Sequence, residues 1–144
     1  MNILFVCTGN TCRSPMAEGI LKSLAKKKGL DINVKSAGIS VFDTWSAAHN
    51  AIRAMAEINI DISNHRSSIL DRELVIDSDL ILTMSRSHKD IIRGKYPEVK
   101  NKVFTLKEYA YKKEEDIIDP FGGNFKIYQS TRDEIAHCIY NIVD

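Results

Sequence analysis

The chain has 144 residues, 44% hydrophobic and 27% charged, and its 20 Lys and Arg nearly balance 19 Asp and Glu to leave a net charge of +1. These values predict one globular domain and exclude a disordered chain, a collagen-like repeat and a disulfide-knitted miniprotein. They also lack the basic excess of a nucleic-acid binder. The cysteines Cys7, Cys12 and Cys138 form an odd set. The N-terminal apolar run is too short for a secretion signal, and no run reaches the roughly 20 apolar residues of a membrane span. The expectation is a cytoplasmic protein with reduced thiols.

Residues 3–6 are continuously apolar and end in a turn containing Gly and Asn, which predicts a strand buried on both faces. Residues 15–30 predict a helix. Pro15 is its first position, and Met16, Ile20, Leu21 and Leu24 share one face. Lys26, Lys27 and Lys28 fill a solvated last turn before the stop at Gly29. Residues 32–34 alternate as a short strand and run into Ser36-Ala37-Gly38. A second amphipathic helix over 47–58 points Ile52, Met55 and Ala56 inward. Residues 71–76 predict a short helix, 79–84 a buried strand, 87–94 a helix and 102–106 a fourth short strand. The final helix, 125–143, turns Ile127, Tyr128, Ile135, Ile139, Ile142 and Val143 inward. Strands alternate with helices. The expected fold is therefore α/β: one three-layer domain over 1–144, an open four-stranded parallel sheet with helices on both faces.

In such sheets ligands bind beyond the carboxyl ends of the strands. The segment there after the first strand is Cys7-Thr8-Gly9-Asn10-Thr11-Cys12-Arg13-Ser14, which reads Cys-x5-Arg-Ser/Thr and leads into a helix. Five residues between Cys7 and Arg13 can curl so that backbone N–H groups cradle a tetrahedral oxyanion at a helix N-terminus. Gly9 permits positive φ and close backbone approach, and Asn10 tolerates the left-handed region. Arg13 offers a planar fork to two phosphate oxygens. Cys7 lies at the bottom, facing the phosphorus. The amides, the helix dipole and Arg13 are expected to favour its thiolate, and Ser14 to add a hydroxyl hydrogen bond. The sequence thus assigns phosphate binding to Thr8, Gly9, Asn10, Thr11, Cys12, Arg13 and Ser14.

This segment, continued through Pro15-Met16-Ala17-Glu18, resembles the phosphate-binding loop of the low-molecular-weight protein tyrosine phosphatases. Ser36-Ala37-Gly38, residues 79–84 and Asp119-Pro120-Phe121-Gly122-Gly123 match further segments of that family in order and spacing. The resemblance covers nearly the whole chain and implies the same four-stranded fold. It also implies a two-step phosphatase reaction, with Cys7 as nucleophile, Arg13 gathering charge and Asp119 as the acid that protonates the leaving atom. Asp116 lacks the Pro context and is expected to be solvated. The resemblance implies that His65 joins Asn10, Ser14 and Ser36 in bracing the loop. Cys7 and Cys12 are expected to pair on oxidation, and Cys138 to be a small buried hydrophobe. No cofactor is implied. The histidines at 49, 65, 88 and 137 show no ligand spacing, so no metal is expected.

Within the family, tyrosine-directed members resemble one another in an aliphatic residue where this chain has Thr11, whereas bacterial protein-arginine phosphatases carry threonine. An aliphatic wall would leave guanidino N–H groups unpaired, and a threonine hydroxyl accepts one. The favoured substrate is protein phosphoarginine, with phosphotyrosine as the alternative. Phe121 stands where tyrosine-directed members place a stacking tyrosine and is a second selectivity position. Trp45 is expected on the pocket rim. Ser85 replaces an acidic residue that many tyrosine-directed members have, which puts one bracing contact to the acid loop in doubt. Arsenate reduction would need two further cysteines close together in a later segment, and residues 79–100 hold none. A non-catalytic phosphate-binding module is opposed by intact Cys7, Arg13 and Asp119. The expected partners are phosphorylated proteins, with no nucleic acid and no membrane, and the chain is expected to be a monomer.

Overall fold

The structure, a computed structural model, describes residues 1–143. β1 (Asn2–Cys7) is followed by α1 (Arg13–Lys28), β2 (Asn33–Gly38), α2 (His49–Ala56) and α3 (Arg72–Asp77). Then come β3 (Leu80–Thr83), α4 (Arg86–Lys95), a 3-10 turn (Pro97–Lys102), β4 (Val103–Thr105), α5 (Leu106–Tyr111) and α6 (Phe125–Val143). The strands form one sheet in the order β2-β1-β3-β4, and every pair is parallel.

The apolar run of β1 is buried because the pleat sends alternate side chains into two different cores. Ile3, Phe5 and Cys7 face Met16, Ile20, Met55, Ile135 and Ile139, contributed by α1, α2 and α6. Leu4 and Val6 face Val75, Ile92 and Val99 from α3, α4 and the 3-10 turn. Helices therefore cover both faces, as expected. From β1 the chain passes to β2 on one side and then to β3 on the other. The order reverses beside β1, and the crevice at its carboxyl end is where such a sheet takes a ligand.

Several local expectations change. Helix α1 starts at Arg13, so Pro15 is its third residue, still in the first turn, where an N–H has no intrahelical partner. Ala56 is exposed, and Ala51 and Ala54 fill the inward face of α2 instead. Ile127 is 42% exposed because α6 turns Tyr128 and Thr131 inward in its first turns. Helix α5 was not predicted, although Thr105 and Glu108 form a capping box that names its start. The lysines closing α1 are exposed, and Gly29 ends it at φ 65°. Among the described residues no helix is long and apolar enough to cross a membrane.

Candidate active site

The loop between β1 and α1 holds its shape through one buried residue. Asn10 has φ 55° and is completely buried. Its Oδ1 accepts the Ser68 backbone N–H at 2.9 Å. That fixes the amide orientation, so Nδ2 donates to Ser14 Oγ at 2.8 Å and to Ser36 Oγ at 2.9 Å. Asn10 is thus the left-handed residue of the loop. Gly9, which could adopt positive φ, does not, and among the described residues a Cβ there would meet only Thr11 Oγ1, at 3.7 Å. An asparagine tolerates this conformation because its short side chain hydrogen-bonds locally.

The network continues outward with each donor accounted for. Ser14 Oγ accepts from Asn10, which leaves the Ser14 hydroxyl proton for Cys7 Sγ, 2.9 Å away. Ser36 donates to Glu18 Oε1 at 2.5 Å. His65 Nε2–H donates to the Asn10 carbonyl at 2.8 Å, and its Nδ1 lies 4.0 Å from Glu18 Oε1. The expected bracing group of Asn10, Ser14, Ser36 and His65 is brought together. Glu18, to which the sequence reading gave no role, links two of its members.

Strand β2 clamps the loop from the side. Gly38 lies opposite Cys7 in the parallel register. Beyond it, the Ile39 N–H donates to the Cys7 carbonyl at 3.0 Å and the Ser40 N–H to the Thr8 carbonyl at 2.9 Å. A Cβ on Gly38 would come within 2.6 Å of the Thr8 carbonyl oxygen and 2.9 Å of the Asn10 nitrogen. Glycine stands here because the loop backbone passes against it. The Thr11 carbonyl accepts the Ala48 N–H at 2.8 Å, which joins the loop to the start of α2.

Arg13 is 5% exposed. Its Nη1 donates to the Ile117 carbonyl at 2.9 Å, and its Nη2 lies 3.5 Å from Asp119 Oδ2. The guanidinium therefore joins the phosphate-binding loop to the segment that carries Asp119. That segment is also tied to the sheet, since the Ile117 N–H donates to the Met84 carbonyl at 2.7 Å. Asp116 is exposed, as expected, and is also an anchor: its Oδ1 accepts the Arg86 N–H at 2.8 Å, and the Arg86 side chain lies 3.6 Å away. The first helical N–H of α4 is an unmet donor, and Asp116 fills it. Ser85 caps α4 by accepting the His88 N–H. Asp119 Oδ1 accepts the Phe121 N–H at 3.1 Å, and Gly122 at φ 79° turns the chain so that the Gly123 N–H reaches the Pro120 carbonyl. Half of the Asp119 side chain stays exposed.

Around these groups, Cys12 is buried, and its sulfur lies 3.4 Å from the Tyr128 hydroxyl and 3.7 Å from Thr11 Oγ1. Burial, above all, pushes the Cys12 thiol up, while the bonds to Tyr128 and Thr11 pull it down. Tyr128 is raised by its own burial and by Cys12. Cys138 is fully buried and its thiol is pushed up to about 11 by desolvation. Thr8 Oγ1 lies 2.8 Å from His88 Nε2. Burial, helped by the charge of Arg13, brings His88 down to about 4, so the ring is neutral at pH 7. Sequence reading missed both the Tyr128 and the His88 contact, because each joins residues more than 75 positions apart. Phe121 is 79% exposed and Trp45 46% exposed. The Trp45 backbone exchanges hydrogen bonds with Ser67. Among the described residues no group of three or more His, Cys, Asp or Glu is arranged to hold a metal ion.

The N-terminus of α1 has neither a side-chain cap bond nor an acidic residue in its first turn. The buried guanidinium of Arg13 and the Cys7 thiol, which accepts a hydrogen bond from the Ser14 hydroxyl, lie at the two ends of the same loop. This arrangement suits a tetrahedral anion with a nucleophile beneath it and a carboxyl group above.

A family model described as low molecular weight phosphotyrosine protein phosphatase matches residues 2–143. A protein-arginine-phosphatase of Bacillus subtilis (strain 168) is 49% identical over 139 residues, 96% of this chain and 92% of its own length. The low molecular weight protein-tyrosine-phosphatase PtpB of Staphylococcus epidermidis is 37% identical over 144 residues, 100% of this chain and 95% of its own. A solved structure of the YwlE arginine phosphatase, a mutant with a phosphorylated active-site serine in place of cysteine, superposes with a TM-score of 0.95 at 45% identity. That match covers 99% of this chain and 93% of the other.

Proposed function

We propose, from the premise that the chain belongs to the low molecular weight phosphotyrosine protein phosphatase family, that it removes phosphate from phosphoarginine side chains of proteins. The observation that carries the choice of substrate is Thr11. Thr11 is half-buried on the loop, and its hydroxyl lies 3.7 Å from the Cys12 sulfur, a weak hydrogen-bond partner. It is therefore free to accept an N–H from a guanidino group. The relative at 49% identity is a protein-arginine-phosphatase, and the one at 37% a protein-tyrosine-phosphatase.

The residues act in two steps. The Cys7 thiolate, accepting a hydrogen bond from the Ser14 hydroxyl, attacks phosphorus in line, and an S–P bond forms as the P–N bond breaks. Arg13 and the loop amides gather the charge on the equatorial oxygens. Asp119 gives its proton to the departing nitrogen. It then takes a proton from water, which attacks the cysteinyl-phosphate and releases inorganic phosphate and the Cys7 thiolate. Asn10, Ser14, Ser36 and His65 hold the loop in this geometry, and Cys12 is read as the thiol that pairs with Cys7 on oxidation. Phe121, exposed on the acid loop, is read as a second selectivity position. The chain is read as a monomeric cytoplasmic enzyme with one domain over 1–144 that binds neither nucleic acid nor membrane. Its near-neutral charge and unpaired cysteines support this.

The test is hydrolysis of matched phosphoarginine and phosphotyrosine peptides by wild type, Thr11→Ile and Cys7→Ser. Wild type is expected to prefer phosphoarginine. Thr11→Ile should lose about ten- to a hundredfold of that preference, the cost of leaving a guanidino N–H unpaired. Cys7→Ser should be inactive on both. A wild type that prefers phosphotyrosine, unmoved by Thr11→Ile, removes the substrate assignment and leaves the chemistry.

A further inference from the structure

Thr8, next to the nucleophile, is exposed, yet its hydroxyl is held 2.8 Å from His88 Nε2. His88 comes from the first turn of α4 and is 6% exposed. Among the described residues, its Nδ1 is the buried side-chain nitrogen or oxygen that has no partner. A buried N–H without an acceptor is costly, so the proton of the neutral ring belongs on Nε2, where it is donated to Thr8 Oγ1. The Thr8 oxygen keeps a second lone pair and its own proton, both on an exposed side chain at the mouth of the crevice. The Thr8–His88 bond ties the loop after β1 to α4, whose first residue, Arg86, donates its N–H to Asp116 in the segment that carries Asp119. Thr8 is tied toward α4, after β3, whereas the Thr11 carbonyl is tied toward α2, after β2.

We propose that Thr8 Oγ1, held in place by His88 Nε2, is a second selectivity contact, accepting an N–H of the leaving guanidino group that Thr11 does not. This rests on the phosphoarginine reading above. A guanidino group brings several N–H donors, and one threonine satisfies only one of them. A second fixed acceptor lowers the desolvation cost of the remaining donors. An aryl leaving group has no donor to offer it. His88 is a positioning residue: it does not touch substrate but removes the rotational freedom of the Thr8 hydroxyl.

The experiment compares kcat/KM for matched phosphoarginine and phosphotyrosine peptides in wild type, Thr8→Val, Thr8→Ser and His88→Leu, and reads their ratio. Thr8→Val should shift the ratio toward phosphotyrosine by about tenfold or more, and Thr8→Ser should restore it. His88→Leu should shift it in the same direction by less. A Thr8→Val variant whose ratio equals that of wild type overturns the proposal, whether both rates fall together or neither moves, because bracing alone affects the two substrates alike. A wild type that prefers phosphoarginine while the variants keep its ratio removes this proposal alone. A wild type that ignores phosphoarginine removes the substrate reading and this proposal with it.

Discussion

Replacing Gly38 with alanine puts one methyl group between β2 and the phosphate-binding loop. The new Cβ would stand 2.6 Å from the Thr8 carbonyl oxygen, 2.6 Å from Val41 Cγ2 and 2.9 Å from the Asn10 nitrogen. Carbon contacts are comfortable at about 3.5–4.0 Å, so the loop must retreat by roughly 0.8 Å. Val41 can rotate away, but the two backbone atoms are held. The Thr8 carbonyl accepts the Ser40 N–H, and Asn10 is pinned through Ser14, Ser36 and Ser68. Gly38 cannot yield either, since its N–H donates to the Ser68 carbonyl and its carbonyl accepts from Leu70, each at 2.8 Å. Overpacking of this kind costs about 1–3 kcal/mol, and each kcal/mol lowers Tm by about 2–4 °C in a chain of this size. The loss of activity should be larger, because a misplacement near 1 Å costs about a hundredfold. The assays are a thermal melt and kcat/KM on p-nitrophenyl phosphate. Gly94→Ala is the control: the site is exposed within α4, a Cβ there meets nothing within 4 Å, and helix propensity should add about 0.5–1 kcal/mol. A Gly38→Ala protein as active and as stable as wild type would refute the reasoning.

Asn10→Ala removes three side-chain bonds and leaves a non-glycine residue at φ 55° without local support. The expected loss is about 2–4 kcal/mol in urea unfolding together with most activity, and Asn10→Gly should recover part of the stability but not the activity. His88 makes stability depend on pH. Its value falls from 6.5 unfolded to about 4 folded, so the unfolded chain takes up the proton first, and the contribution present above pH 6.5 is lost as pH falls toward 4. At about 1.4 kcal/mol per unit this amounts to roughly 3 kcal/mol. Unfolding free energies between pH 4 and 7.5 should fall less steeply in His88→Gln, and parallel curves would contradict the assignment.

The elements with strong local patterns were legible in the chain. Residues 3–6 are apolar throughout because both faces of β1 are covered, and 125–143 read correctly as one helix. The Cys-x5-Arg-Ser segment declared itself because its chemistry is consecutive: nucleophile, turn residues and guanidinium lie within eight positions. The Asp-Pro at 119–120 was readable by resemblance alone, since an Asp-Pro pair in isolation marks only a turn.

Other features could not be read locally. Asp116 is exposed, as expected, but only the fold brings it to the start of α4, and nothing local shows that the loop passes against Gly38 at the end of β2. Glu18, Tyr128 and His88 acquire their site contacts from segments far away in the chain. Periodicity says which face of an element is buried, as the misplaced Ala56 and Ile127 show imperfectly, but not which partner waits there. Sequence alone determined the alternation of strands and helices and placed Cys7 and Arg13 at the two ends of one loop. The tertiary structure decided how that loop is held, where the segment carrying Asp119 is anchored and which groups surround Cys7, because hydrogen bonds between segments exist only once the chain has closed.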